Sequence, residues 1–378
     1  MLDVDLAVVG AGPAGSAAAL SALRADPGLR VALLDRAVFP RDKVCGDGIG
    51  PEGADVLAHL GVVDVLDGHP PLDRVRLHAP DGTVARGRAP RPGHVVPRAV
   101  LDDRLRSAAL AAGAQAVAQR VRDVVVEGDR VVLDGRVRAR TVVGADGANG
   151  TVRRAVGGGS HPARHTGIAM RGYAQAPWLE ELVIGFVPDR WPAYAWAFPT
   201  GDGTVNVGYG PFDRTRLDDR RGLVASVHRH AEALGVAPDP DTLRAHHLPL
   251  STRRPRPSLG RVLLAGDAAG FVNPLTGEGI YYALLTGAMA GAAAVRFPDD
   301  PGAAYRGALR HRLGRHLRHT TAAALVFRSR YPVDVSVAAA AGSEAVLGDL
   351  CEFALGTGLV TPRMVGSLTR ASVVRATR

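Results

Sequence analysis

Three groups of residues stand at spacings that serve chemistry. The first is Gly10-Ala11-Gly12-Pro13-Ala14-Gly15, which follows the apolar run Leu6–Val9 and opens an Ala-rich stretch; a second apolar run, Val31–Leu34, ends on Asp35. Strand, glycine turn, helix, strand and acid in that order form the unit that binds a dinucleotide. Gly10 makes the tight turn, Gly12 lets backbone approach a pyrophosphate, and Gly15 lets helix and strand pack closely. The helix start presents unpaired N–H groups and a favourable dipole to phosphate, with Ala14 in its first turn. The Asp35 carboxylate accepts hydrogen bonds from an adenosine ribose and repels a 2′-phosphate, so NADP is not expected as the fixed ligand. The second group is a thiol, Cys45, in a loop from Arg36 to Gly50 rich in glycine and charge. The third is Tyr194-Ala195-Trp196-Ala197-Phe198-Pro199, whose rings alternate and would share one face of a strand. That face either walls an apolar cavity, where rings stabilise a developing cation, or packs a core.

These groups need elements to hold them. After the Asp35 unit a helix is expected over Pro51–Leu60, ended by Gly61, with strands near Val75–His78 and Val84–Arg88. Arg98 opens an amphipathic helix to about Ala112, stopped by Gly113. Val121–Glu127 and Arg130–Leu133 read as a hairpin about Glu127-Gly128-Asp129. Thr141–Gly147 reads as a buried strand ending on Asp146 and a glycine. From His165 to about Leu250 the pattern is short strands, and Arg261–Asp267 restores the α/β character before a helix from Gly277 to about Val295. The expected fold class is α/β: a Rossmann-type dinucleotide domain with an inserted, mainly antiparallel β-sheet substrate domain and a helical C-terminal region. The expected divisions are residues 1–160, with a small β insertion near 70–97, then 161–255, 256–299 and 300–378, the last ending in an Arg-bearing tail.

Composition narrows the function. The chain is 46% hydrophobic and 22% charged, and no apolar run approaches the length of a membrane helix. Met1-Leu2-Asp3-Val4-Asp5 has no basic n-region, so a cytoplasmic location is expected, with peripheral contact at a membrane surface left open. Cys45 and Cys351 lie far apart without a CxxC partner, which argues against a metal or a disulfide framework. The net charge of +9 comes from 46 basic residues, of which Lys43 alone is lysine; this is compositional bias, and the arginines are not interleaved with aromatics as a nucleic-acid groove requires. The densest basic run, Arg306–His319, carries Leu309, Leu313 and Leu317 at helical spacing, which reads as an amphipathic helix with a solvated face or a surface for anionic lipid or a diphosphate. His94, His246 and His247 sit in no motif and are assigned surface or packing roles.

Later segments separate NAD from FAD. Val142–Asn149, Arg261–Ala269 and Phe271–Ile280 resemble, in order, the corresponding segments of the FAD-dependent monooxygenase-like superfamily. That resemblance implies cofactor contacts from Gly10, Gly12, Ala14, Gly15, Asp35, Arg36, Arg98, Asp146 and Asp267, with the Val121 strand backbone meeting the adenine. It also implies that Pro274, Gly277, Gly279 and Ile280 place a helix start at the flavin N1–C2=O edge, where reduced flavin carries negative charge. Pro40-Arg41-Asp42-Lys43-Val44-Cys45-Gly46-Asp47-Gly48 resembles the PxxKxCG loop of geranylgeranyl reductases, and Tyr194–Pro199 with Gly208-Tyr209-Gly210 resembles their YxWxFP…GxG pattern. Plant-type members read Cys-Gly-Gly where this chain has Cys45-Gly46-Asp47. Cys45, Gly46 and Gly48 would then lie over the isoalloxazine.

The function implied is a FAD-dependent reductase that saturates C=C bonds of a prenyl chain or prenylated product. Cys45, Tyr194 or water would supply the proton, and Tyr194, Trp196 and Phe198 would hold the substrate. No second nucleotide fingerprint is present, so electrons would come from docking NAD(P)H or a redox protein. The alternatives are an FAD-dependent hydroxylase and a non-enzymatic prenyl-lipid escort. A halogenase is disfavoured, because its lysine and Trp-x-Trp-x-Ile-Pro motif have no counterpart here.

Overall fold

The computed structural model describes residues 1–188, 190–212, 220–252 and 257–376. The expected division at residues 255/256 and the last two residues of the basic tail lie outside these. Two eight-stranded sheets stand side by side. The first runs, edge to edge, Ser258–Leu259, Val262–Leu264, Val137–Gly144, Leu2–Val9, Val31–Asp35 and Gln115–Ala118, parallel except at the Ser258 edge. The hairpin Val124–Glu127/Arg130–Leu133 adds onto Val137–Gly144. Leu6, Ala7, Val8 and Val9 are all buried, so both faces of this half of the central strand are covered, while Asp3 and Asp5 at its start reach the surface.

Helix Pro13–Ala25 lies against helix Ile280–Arg296, and small residues set their distance. A Cβ on Gly287 or Gly291 would fall 2.0 or 2.1 Å from the carbonyl oxygens of Ala14 and Ala18. The two helices therefore meet backbone to backbone, and a larger residue at either glycine would push the glycine turn off the sheet. The second helix begins at Ile280, three residues later than Gly277, since Gly277 takes a left-handed φ of 69° that ends any helix.

The second sheet runs Arg244–Pro249, Thr166–Gln175, Thr204–Pro211, Ala193–Pro199, Leu182–Val187, Leu72–His78, Val84–Val95 and Gly48–Ile49. It is antiparallel except where Leu182–Val187 runs parallel to Leu72–His78. The strands expected as a small insertion near 70–97 thus extend this sheet instead of standing apart. Their pairing with residues a hundred positions away carries no local signal. Helices Pro301–Val326, Tyr331–Ala341, Glu344–Leu355 and Pro362–Ala376 complete the chain. Val333, Val337, Ala340 and Leu347 bury one side of this region against Val75, Leu77, Ala85 and Trp191. No helix among the described residues is long and apolar enough to cross a membrane.

Candidate active site

A cavity of about 860 Å³ is lined by residues of both sheets and of the C-terminal helices. One end is the C-terminal edge of the parallel sheet. Gly10 has φ 101°, and a Cβ there would lie 2.4 Å from the Ala145 carbonyl oxygen, so the turn admits glycine alone. Gly12 caps helix Pro13–Ala25 with no side-chain oxygen and no acid follows in the first turn, which leaves the N–H groups for an anion. Gly15 does not line the cavity; its would-be Cβ lies 1.7 Å from the Gly10 carbonyl oxygen, so its absent side chain serves close packing. Asp35 accepts the Ala11 N–H at 2.8 Å on one oxygen and the Ala37 N–H at 2.9 Å on the other. The carboxylate therefore shapes the turn as well as facing the cavity beside exposed Arg36. Val121 lines the same end but lies in a loop between Gln115–Ala118 and Val124–Glu127, not on the strand expected. The next two N–H groups, of Arg122 and Asp123, donate to Asp134 Oδ1 at 2.9 and 2.7 Å, a side chain replacing a ladder partner.

Cations gather next to Gly12. Arg98 is buried and forms a fork onto Asp102, at 2.6 and 2.8 Å, and Arg41 reaches the same carboxylate at 3.1 Å. Burial would lower the Arg98 pKa, but Asp102 outweighs it and holds the guanidinium charged. The Arg41 guanidinium comes within 3.2 Å of where a Gly12 Cβ would stand. Across the cavity Asp267 accepts from Lys43 at 3.1 Å, with His246 at 3.7 Å. Burial would raise the Asp267 pKa, yet Lys43 and His246 hold it well below the carboxylate range. Burial lowers the His246 pKa against the pull of Asp267, and the ring lines the cavity, a correction to its assignment as surface or packing. Asp146 also lines the cavity; its Oδ2 accepts the Val152 N–H at 2.9 Å, while its buried Oδ1 has no partner among the described residues.

Pro274, Gly277, Gly279 and Ile280 bring the start of helix Ile280–Arg296 to the cavity wall. Between the glycines, Glu278 Oε1 accepts the Tyr281 N–H at 2.7 Å. Burial pushes the Glu278 carboxyl up to about 7. Sequence reasoning passed over this acid because its neighbours, not its own type, define the motif.

The other end is built on strand Ala193–Pro199. Tyr194, Trp196 and Phe198 all line the cavity, with ring centroids 5.6 and 6.4 Å apart along the row. Their partners across the ladder are Gly210, Gly208 and Asn206. A Cβ on Gly208 would lie 2.2 Å from the Trp196 ring, so the first glycine of the GxG exists to seat the indole. Gly46 closes the stack from the facing loop, its would-be Cβ 3.5 Å from both Phe198 and Trp196. Neighbouring Cys45 and Gly48 line the cavity too, and burial pushes the Cys45 thiol up and keeps it protonated. The Tyr194 hydroxyl donates to the Thr276 carbonyl, so its proton is committed to the backbone.

Behind the wall lies a network with no sequence signature. Asn206 accepts the Trp196 indole N–H at 2.9 Å and donates to the Cys45 carbonyl at 2.9 Å and to Asp47 Oδ2 at 2.7 Å. The Tyr173 hydroxyl donates to the same Asp47 oxygen at 2.6 Å. Asp47 is fully buried at a left-handed φ of 61°, and burial pushes its carboxyl up to about 6. One amide thus ties the aromatic strand to the cysteine loop.

Residues 3–285 match the model of the FAD binding domain family. The menaquinone reductase of Mycolicibacterium smegmatis is 37% identical over 313 residues, 76% of this chain and 75% of that protein. The geranylgeranyl diphosphate reductase of Rhodobacter capsulatus is 33% identical over 78% of this chain and 76% of its own length. The chain belongs to the geranylgeranyl reductase family of FAD-dependent oxidoreductases. A geranylgeranyl bacteriochlorophyll reductase-like protein of Thermoplasma acidophilum shares the fold, with a TM-score of 0.78 at 21% identity over 98% of this chain and 96% of that one.

FAD is accordingly the reductase's cofactor, and the residues suit it. An uncapped helix start, two arginines beside Gly12 and a carboxylate at the end of the second strand match a pyrophosphate and a ribose. Of the residues expected at the site, all but Gly15 meet around this cavity. Lys43, His246 and Glu278 join them from positions that only the fold makes neighbours.

Proposed function

We propose that this reductase saturates C=C bonds in the prenyl chain of a prenylated small molecule, such as a prenylated quinone. The supporting observation is the continuity of the cavity. From the glycine segments it passes the Tyr194, Trp196 and Phe198 rings into an apolar end lined by Leu77, Phe186, Val337, Leu350 and Phe353. An extended hydrocarbon suits such a space, which keeps water from an unactivated alkene. The relatives named for menaquinone and for geranylgeranyl diphosphate act on molecules of this chemistry.

When bound, FAD supplies the hydride. The glycine turn, Asp35, Arg41 and Arg98 orient it, and the Cys45 loop closes against the aromatic wall. The proton for the second carbon comes from Cys45 or Glu278, both half-buried, cavity-lining and protonated over part or all of the neutral range. Tyr194 is a positioning residue, because its hydroxyl already serves Thr276. Electrons arrive from docking NAD(P)H or a redox protein.

The test is anaerobic turnover of dithionite-reduced enzyme against a panel of prenyl diphosphates and prenylated quinones, read by mass spectrometry. Gain of two hydrogens per bond, located in the tail by fragmentation, is the expected result. Hydrogens located only in the quinone ring, oxygen inserted on admitting air, or an unaltered panel would each overturn it.

A further inference from the structure

The corner between helices Pro301–Val326 and Tyr331–Ala341 has two sides of one character. Inward, Ala324, Phe327, Val333 and Val337 line the apolar end of the cavity, and the Phe327 carbonyl accepts the Trp191 indole N–H at 2.9 Å. Outward, Leu325 and Val326 are 59% and 58% exposed, and Tyr331 is also exposed. The Tyr331 hydroxyl meets Ser372 Oγ at 2.6 Å, which brings exposed Val373 and Val374 of the last helix alongside. Isolated exposed apolar residues are ordinary on a protein surface, but here they gather at one corner of the fold, on the outer side of helices that line the cavity.

Charge around the corner is mainly positive; the acid nearest in sequence, Asp334, accepts the Asp81 N–H at 3.2 Å beside the Asp81–Arg375 ion pair. Residues 301–333 hold seven arginines and no acid, and residues 353–378 hold no acid either. Arg315, Arg318, Ala322 and Leu325 are all exposed and follow one another at three- and four-residue steps, which puts them in one row along the helix. Arg315, Arg318 and Arg328 have no ion-pair partner among the described residues, whereas Arg363 and Arg375 are paired with Asp349 and Asp81. Arg318 stands about 10 Å up the helix from Leu325. With Leu325 about 5–10 Å into the headgroup–acyl boundary, Arg318 comes level with lipid phosphates.

We propose that this corner docks on a bilayer of anionic phospholipid and is where a prenyl chain passes from the membrane into the cavity. The apolar tip enters the interface and the arginine row meets the phosphates, so the basic helix gains a partner through its exposed row. The route for the chain rests on the reading of the cavity given above; the docking does not.

The experiment uses the full-length FAD-loaded protein and no substrate for its first arm. Wild type, Leu325→Glu/Val326→Glu and Arg315→Gln/Arg318→Gln are sedimented with phosphatidylcholine vesicles with and without phosphatidylglycerol. Wild type should bind only vesicles carrying phosphatidylglycerol, and each double variant should bind about tenfold more weakly or worse with unchanged FAD content and melting temperature. In the second arm the Leu325/Val326 variant should lose turnover of a long-chain substrate embedded in vesicles but keep the wild-type rate on a short, soluble prenyl compound. Vesicle binding that is absent in wild type or indifferent to both variants overturns the docking. So does an oligomer that the same substitutions dissolve, since the corner then faces a second copy. Normal docking with no difference between the two substrates overturns the route alone, and loss of both rates in wild type as well as variant would instead count against the prenyl reading.

Discussion

The two ends of the cavity are made by opposite means. At the nucleotide end, residues 10–15 and 35 build the turn itself from one short stretch, joined by Arg98, Asp146 and Asp267 from farther along, and the turn's constraints are steric: Gly10 and Gly15 sit where no Cβ fits. At the substrate end, three rings on one strand depend on Gly208 and Asn206 of a second strand and on Gly46 of a loop from elsewhere in the chain. The turn at the first end is local and intolerant. The second end is assembled over long range, by contacts that can each be altered separately. The comparison predicts how each end should fail.

The largest effect belongs to the local end. Gly15→Ala places a methyl 1.7 Å from the Gly10 carbonyl oxygen, and the helix must leave the sheet to relieve it. The expected cost is about 4 kcal/mol or more, seen as loss of soluble, FAD-loaded protein. Recovery of normal FAD content in this variant would show that the turn is more compliant than its geometry states.

Trp196→Ala tests the other end. Truncating a buried indole and leaving Asn206 Oδ1 without its donor should cost about 3–5 kcal/mol. Because the proposed FAD contacts come from other segments, protein that still folds should retain FAD while its flavin is oxidised more slowly by substrate. A stable, FAD-replete variant with the wild-type rate would remove Trp196 from the substrate wall. Asp35→Ala is expected to do the reverse. It should weaken FAD binding by about 1.5–3 kcal/mol, through the lost ribose bonds and the freed Ala11 N–H, while leaving the substrate wall intact. Titration of the apoprotein with FAD measures it, and an unchanged affinity would take Asp35 out of the site.

How legible each end was follows from the same contrast. The glycine turn, Asp35, the Arg98 helix and the alternating rings are local patterns, and they were readable because spacing along the chain is also spacing in the fold. The parallel pairing of Leu72–His78 with Leu182–Val187 joins segments with no pattern in common, so those strands were taken for a small insertion within the dinucleotide domain. His246 carries no motif and becomes a cavity residue only because Arg244–Pro249 pairs beside Thr166–Gln175. The Asn206–Asp47 clamp was hidden for a further reason: the loop departs from its family pattern at Asp47, and the departure gave no hint of its partners.

Glu278 sharpens the comparison through pH. Its carboxyl titrates at about 7 in the folded chain and near 4.5 when unfolded, because burial penalises the charged form. The folded state therefore holds the extra proton between those values, and stability falls as pH rises through that window. Glu278→Gln keeps an acceptor for the Tyr281 N–H and removes the titration. The variant should match wild type at pH 4.5 and exceed it by roughly 1–3 kcal/mol at pH 8, measured by denaturant melts of the apoprotein. Equal pH profiles would mean that the acid is solvated and poorly placed to hold a proton for the reaction.

The smallest expected effect is at Asp47, where opposing contributions nearly cancel. Asp47→Gly relieves the left-handed backbone, a gain of about 1 kcal/mol, and removes a buried carboxylate whose second oxygen has no partner among the described residues. Against this, the Tyr173 hydroxyl loses its acceptor, and the Asn206 amide keeps only the Cys45 carbonyl. That loss amounts to about 1–3 kcal/mol. Net stability at neutral pH should stay within about 1 kcal/mol of wild type. The pH profile separates this balance from indifference. Asp47 titrates at about 6 folded against 3.8 unfolded, so wild type loses stability as pH rises from 4 to 6 and the variant should lack that slope. Freed from its clamp, the Cys45 loop should also react faster with a thiol reagent in the apoprotein, although the thiol itself is untouched. A variant with the wild-type slope and the wild-type thiol rate would show that Asn206 alone ties the loop to the aromatic strand.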